Sequence, residues 1–143
     1  MKPLNLKPFE GMPLAHPESP IKNPVTTWLN PLLISIDETR MECEIEVRPE
    51  MADPIKILHG GMRATMLCDI LGILANTGGQ GVSSLTTSVS VECIGKAFVG
   101  EKVRVIANTV HKGGTLIYMS GEIRNEKGGL VATGKTTLFS IAK

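Results

Sequence analysis

The sequence predicts an α+β domain in which a curved antiparallel sheet of about five to six strands wraps one long apolar helix. Two observations carry this. Residues 58–76 form the only long apolar segment without strand alternation; it opens on His59-Gly60-Gly61 and closes before Thr77-Gly78-Gly79. On both sides of it lie segments with period-two alternation, joined after residue 83 by Gly-rich turns. Segregated helix and strands make the class α+β. A chain of 143 residues is one ordinary domain and buries enough surface for a core without disulfides or metals.

The elements follow in order. Residues 1–24 hold six of the nine prolines, and proline removes amide donors and fixes φ, so this stretch reads as an extended or irregular N-terminal arm. It is expected either to trail as a loosely attached tail or to pack across a partner subunit. The domain proper then runs over 25–143. Asn23-Pro24 starts a short helix through Thr26-Thr27-Trp28-Leu29, with Trp28 packing the mouth of the core. Leu32 to Ile36 is a strand that ends at the Asp37-Glu38-Thr39 turn. Met41, Cys43, Ile45 and Val47 alternate with Glu42, Glu44, Glu46 and Arg48, a half-buried strand with an acidic wet face. Residues 49–58 form a loop rich in breakers, and Gly78-Gly79-Gln80-Gly81 a second flexible junction. Four strands complete the chain, over 85–93, 102–110, 116–124 and 130–141. The turns Lys112-Gly113-Gly114 and Asn125 to Gly129 place their flanking strands as antiparallel neighbours.

Composition narrows the function. A net charge of +1 and a pI near 7.7 lack the basic footprint of a nucleic-acid binder. Cys43, Cys68 and Cys93 show no metal or CxxC spacing and read as reduced, buried thiols. The N-terminus has no continuous apolar h-region and no run approaches a membrane span, so a cytoplasmic location is expected.

The helix start carries chemistry. Free N–H groups at a helix N-terminus attract anionic oxygen, and Gly60 and Gly61 let a ligand approach the backbone closely, as an oxyanion hole for a carbonyl becoming tetrahedral. Neither a GxGxxG nor a Walker pattern is present. His59 has no second ligand at metal spacing and reads as orienting the turn. Thr65, Asp69, Gly72 and Asn76 form one polar stripe at helical spacing. Asp69 is the helix's only carboxylate, and is either a solvated or backbone-satisfied group or a reactive one at a subunit interface.

Leu58-His59-Gly60-Gly61 before an apolar helix, the Gly81-Val82-Ser83 strand start, Phe98-Val99-Gly100-Glu101-Lys102-Val103, Gly113-Gly114-Thr115-Leu116 and Ala132-Thr133-Gly134-Lys135 together resemble the hotdog-fold acyl-CoA thioesterases. The group most similar is the phenylacetate-pathway and 4-hydroxybenzoyl-CoA type, with the animal acyl-CoA thioesterase 13 group. The likeness covers about residues 30–142. It implies a hotdog fold, homodimers or dimers of dimers, and hydrolysis of a small or medium acyl- or aroyl-CoA at the dimer interface. No cofactor is implied beyond the coenzyme A of the substrate.

Carried over by position, the Gly60 N–H polarises the thioester carbonyl and Thr86 supports the water. The family's loop amide falls on Asp53, and its helix acid, supplied by the other subunit, on Cys68. The nearest helix carboxylate is Asp69, one residue on. Asp69 or Asp53 is then the base, Cys68 is a conceivable nucleophile, or the site binds acyl-CoA or an acyl carrier without hydrolysing it. Met62, Met66 and Leu67 either shape the acyl pocket or pack the core. Arg63, Lys96 and Lys112 are candidates for the CoA phosphates or simply solvated charges. A hydratase on this fold lacks its Asp/His pair here.

Overall fold

The computed structural model describes residues 4–77 and 83–141. The helix α2 spans Gly60–Ala75 and lies across one six-stranded sheet. The strands are β1 (Leu32–Ile36), β2 (Arg40–Glu46), β3 (Ser83–Cys93), β4 (Lys102–Lys112), β5 (Leu116–Arg124) and β6 (Leu130–Ile141), in the order β1-β2-β4-β5-β6-β3. Every pairing is antiparallel. This is the hotdog arrangement.

The alternation in β2 sets its two faces. Met41, Cys43 and Ile45 are buried under α2, while Glu42 and Glu44 stand on the outer face and meet Arg104 of β4. The turn junction 78–81 and residue Val82 of the expected strand start lie outside the described residues. β3 does not neighbour β4. The connection from β3 to β4 runs under the start of α2 instead of turning back: Ile94 and Gly95 N–H groups donate to the Val131 carbonyl, and Phe98 bridges Ile57. β3 is thereby carried to the far edge, beside β6.

A pair of glycines seats the helix. Gly121 of β5 and Gly134 of β6 face each other in register. A side chain begun at Gly134 would come 2.7 Å from Leu67 Cδ1, and one at Gly121 would come 3.1 Å from Leu67 Cδ2 and 2.9 Å from the Ile106 carbonyl. Leu67 drops into the hollow these glycines leave, and Met66, Ile70, Leu71 and Leu74 complete the buried face.

The arm is not a loosely attached tail. Leu6, Leu14 and Ile21 are buried in the main core, three apolar anchors between prolines that keep the backbone irregular. The Gly11 N–H donates to the Leu33 carbonyl, the Leu33 N–H to Met12, and Pro13 bridges Leu32, so the arm covers the outer edge of β1. It leads into α1 (Pro24–Leu29), whose cap is Asn23: its side chain accepts from the Val25 N–H. Trp28 is half exposed and lies under the Arg48 guanidinium, 4.6 Å from the ring centre. The opposite sheet edge, β3, is 11 residues long and has no described partner beyond it, with Leu85 60% exposed. None of the described helices is long and apolar enough to cross a membrane.

The seating of Leu67 gives a coupled prediction. Leu67→Ala is expected to cost about 2–5 kcal/mol and Gly134→Ala about 1–3 kcal/mol. The double variant should cost less than the sum, because the added methyl occupies space that the leucine vacates. Urea unfolding of the four proteins checks this, and strict additivity would contradict the packing described.

Candidate active site

The start of α2 leaves one amide open. His59 is the helix cap: its Nδ1 accepts from the Gly61 N–H at 2.9 Å, and its carbonyl accepts from the Met62 and Arg63 N–H groups. Its own N–H donates to the Met51 carbonyl. The imidazole therefore presents Nδ1 as an acceptor and shapes the turn. Of the amides that a helix start leaves without an internal partner, the Gly60 N–H is the one with no acceptor among the described residues. Gly60 and Gly61 are exposed, and the Cys93 thiol lies 3.6 Å from where a Gly60 side chain would begin.

Arg63 holds this turn from behind. It is buried, and its guanidinium donates to the carbonyls of Leu58 (Nε 3.1 Å, Nη2 3.0 Å), Gly95 (2.7 Å) and Val131 (2.9 Å). No carboxylate lies within 4 Å of it among the described residues. A phosphate-facing role would need a guanidinium turned to solvent, and this one faces backbone.

The middle of α2 opens onto a cavity of about 680 Å³. Its walls are α2 (Ala64, Thr65, Cys68, Asp69), β3 (Thr86, Val89), the arm (Ile21, Lys22, Asn23) and the start of α1 (Val25). Cys68 Sγ and Thr86 Oγ1 stand 3.9 Å apart. Asp69 accepts from Thr26 Oγ1 at 3.0 and 2.9 Å and from Asn23 Nδ2 at 3.1 Å. Burial raises its carboxyl above the ordinary 3.8, and the Thr26 hydrogen bond opposes that shift. An ionised carboxylate has about four lone-pair sites, so one turned to the cavity still has room for a water.

Asp53 lies elsewhere. Its Oδ1 accepts from the Ile55 and Ile57 N–H groups, both at 3.0 Å, tying a turn just ahead of His59. It does not line the cavity. Gly60 and Asp69 are nine residues apart on one helix, about 13 Å along its axis. The structure thus brings Cys68, Asp69 and Thr86 together and keeps Gly60 and Asp53 apart from them.

Met66 and Leu67 are fully buried core residues, and Met62 is half buried against the same core. Lys96 is exposed, whereas Lys112 Nζ donates to the Thr77 carbonyl at 3.1 Å. The expectation of three buried thiols holds for Cys43 alone, whose thiol burial pushes far up. Cys68 borders the cavity and Cys93 is exposed because β3 is an edge strand. Among the described residues no cluster of three His, Cys, Asp or Glu side chains is placed to hold a metal ion. The site residues that sequence reading missed are Asn23 and Thr26. The cap signal at Asn23-Pro24 marked the helix start, and nothing marked its partner 46 residues on.

The sequence model of the thioesterase superfamily matches residues 55–132. Human acyl-coenzyme A thioesterase 13 is 27% identical over 106 residues, covering 73% of this chain and 76% of the relative. The crystal structure of AziG from S. sahachiroi superposes with a TM-score of 0.78 at 27% identity, covering 85% of this chain and 98% of that one. A thioesterase protein from Streptococcus pneumoniae, solved with coenzyme A, shares the fold with a TM-score of 0.75 at 19% identity, over 80% of this chain and 88% of that one.

Two expectations follow. The native state keeps the Asp69 proton to higher pH than the unfolded chain, so this group removes stability as pH rises from about 3.8 through its raised value. Asp69→Asn should abolish that decline; identical pH profiles of unfolding free energy in both proteins would refute it. Arg63→Met strands buried carbonyls and should cost about 3 kcal/mol in urea unfolding, with Arg63→Lys recovering part. A loss below about 0.5 kcal/mol would mean the four contacts carry little.

Proposed function

We propose that this chain, which belongs to the thioesterase superfamily, hydrolyses the thioester of a small or medium acyl- or aroyl-CoA at a site shared by two copies. The observation that carries this reading is the open Gly60 N–H at the start of α2. Water adds to the thioester carbonyl, and its oxygen becomes an oxyanion that this N–H and the helix start stabilise. A carboxylate takes the proton from that water. The C–S bond then breaks, the carboxylic acid leaves, and the proton passes to the CoA thiolate.

Asp69 is the proposed base, with Thr86 placing the water. Its carboxyl, raised above the ordinary 3.8 by burial, holds a proton more firmly than a free aspartate, which suits a group that must both take and return one. At about 13 Å along one helix, Gly60 and Asp69 of the same chain cannot serve one thioester. The Asp69 that faces a given Gly60 therefore comes from a second copy. The long open edge of β3 supports pairing of two sheets there, since such edges invite a further strand. Asp53, beside the helix start, is the other candidate base. Lys96 is the exposed cation left to meet CoA phosphates. The S. pneumoniae thioesterase protein, on the same fold, holds coenzyme A in its crystal structure.

A second reading is acyl-CoA or acyl-carrier binding without hydrolysis. Asp69 already holds Asn23 and Thr26, and Cys68 stands where the family acid is expected.

Gly60→Pro is the direct test. It removes the N–H at the first helical position, where proline is tolerated, and adds a ring whose Cβ would stand 3.6 Å from the Cys93 thiol. His59 already has the extended φ −63°, ψ 141° that proline requires before it. With a panel of acyl-CoA esters and a thiol-detecting reagent, Gly60→Pro should lose about 10²–10³ in kcat, while Gly60→Ala, which keeps the N–H, loses far less. Asp69→Asn should lose about 10²–10⁴, and Asp53→Asn little. Equal activity of Gly60→Pro and wild type would defeat the oxyanion role. No turnover of any ester alongside CoA binding would establish the second reading.

A further inference from the structure

We infer that the end of the N-terminal arm and the start of α1 form the acyl-specificity wall of the cleft, with Ile21 and Val25 facing the hydrocarbon tail of the substrate. This rests on the thioesterase reading and adds to it the residues that set the preferred length of the acyl tail.

The cavity beside α2 is divided in chemistry. Thr65, Cys68, Asp69 and Thr86 gather at mid-helix, whereas Ile21 of the arm, Val25 of α1, Ile73 of α2 and Val89 of β3 supply apolar surface around them. Such a cleft suits a ligand with a polar reacting end and an apolar tail. At about 680 Å³ it falls within the range of about 300–1,000 Å³ that encloses a small organic group.

The arm is a fixed wall and not a lid. Leu6, Leu14 and Ile21 are in the core. Asn23 Nδ2 at the end of the arm and Thr26 Oγ1 of α1 are clamped to Asp69 at 2.9–3.1 Å, on the same helix that forms the opposite wall. The buried Ser19 hydroxyl accepts from the Ile21 N–H at 3.1 Å, which fixes the backbone at the wall itself. A tail that ends in a carboxylate would place its charge against Ile21 and Val25 and beside Asp69, while Lys22, the cation on this lining, gives its Nζ to the Pro17 carbonyl at 2.9 Å. An acetyl group is too short to leave water behind. Each methylene transferred from water is worth about fourfold in affinity, so the preference falls on hydrocarbon tails.

The experiment is an acyl-chain series from acetyl- to dodecanoyl-CoA, with malonyl-CoA as the charged member. The proteins are wild type, Ile21→Ala, Val25→Ala and Val25→Phe. Val25 is 44% exposed, so its variants keep the fold, and thermal unfolding monitors Ile21→Ala. Wild type should turn over medium hydrocarbon chains best and malonyl-CoA least. The two alanine variants should move the optimum to longer chains, and Val25→Phe to shorter ones, by about tenfold in the ratio of kcat/KM between long and short esters.

Titration calorimetry with the decyl- and ethyl-CoA thioethers, which cannot be hydrolysed, reads the same preference without turnover. It separates the two failures. Wild type that hydrolyses no ester, yet prefers the decyl thioether and loses that preference in Val25→Phe, sinks the hydrolytic reading and keeps the wall. An unchanged chain-length ratio in all three variants overturns the wall. So does weakened self-association of Val25→Phe in sedimentation with the ratio unmoved, since a second copy would then fill the cavity.

Discussion

The rotation of α2 about its own axis depends on one contact, Leu67 set over the facing glycines Gly121 and Gly134. Any side chain larger than hydrogen at either glycine would meet the leucine or the Ile106 carbonyl within about 3 Å. The seat therefore fixes the azimuth of every other residue on the helix. Successive residues turn by about 100°. With Leu67 aimed at the sheet, Cys68 turns toward β3 and meets Thr86, and Asp69 turns further, toward α1 and the hydroxyl of Thr26. One position on this helix is thus a change of surroundings: residue 68 faces the β3 side of the cleft and residue 69 the α1 side.

The same helix is pinned at its start by a different force. Arg63 gives its guanidinium to four hydrogen bonds on the carbonyls of Leu58, Gly95 and Val131. These join the turn before α2, the connection after β3 and the start of β6. A planar fork with five donors can hold three chain segments at once, which an ammonium group on a flexible stem cannot. With no carboxylate within 4 Å among the described residues, the charge is left uncompensated one turn inside the helix that bears Gly60. Negative charge at that amide is favoured by both the helix start and the buried cation.

What the sequence disclosed was local. Period-two alternation located β2, and the turns Lys112 to Gly114 and Asn125 to Gly129 located the β4-β5-β6 meander, because register and turn chemistry are short-range. The Asn23 cap and the His59-Gly60-Gly61 turn were legible for the same reason. The position of β3 was not, since a crossing connection leaves no turn signature and its target, β6, lies about 40 residues on. The seating of the arm was not legible, because prolines signal irregular backbone and say nothing of whether Leu6, Leu14 and Ile21 are buried. The burial of Arg63 has no sequence signal because its acceptors are backbone carbonyls, which carry no residue code. The clamp on Asp69 joins two loci 43 and 46 residues away, and one-dimensional spacing does not encode such a pairing.

The arm makes the two edges of the sheet unequal. Along β1 it supplies its own hydrogen bonds, from the Gly11 N–H to the Leu33 carbonyl and from the Leu33 N–H to the Met12 carbonyl, so that edge is closed within the chain. β3 is left with an 11-residue free side, and unpaired N–H and C=O groups on so long an edge seek a strand. The proposed hydrolysis needs Gly60 and a carboxylate at one carbonyl carbon, while one helix holds Gly60 and Asp69 about 13 Å apart. Two helices lying antiparallel across a β3 seam would remove that separation twice over, once at each end. On this reading the arm has two effects on one site: it directs association to β3, where the half-sites meet, and it walls the cleft beside Asp69 that each half-site presents.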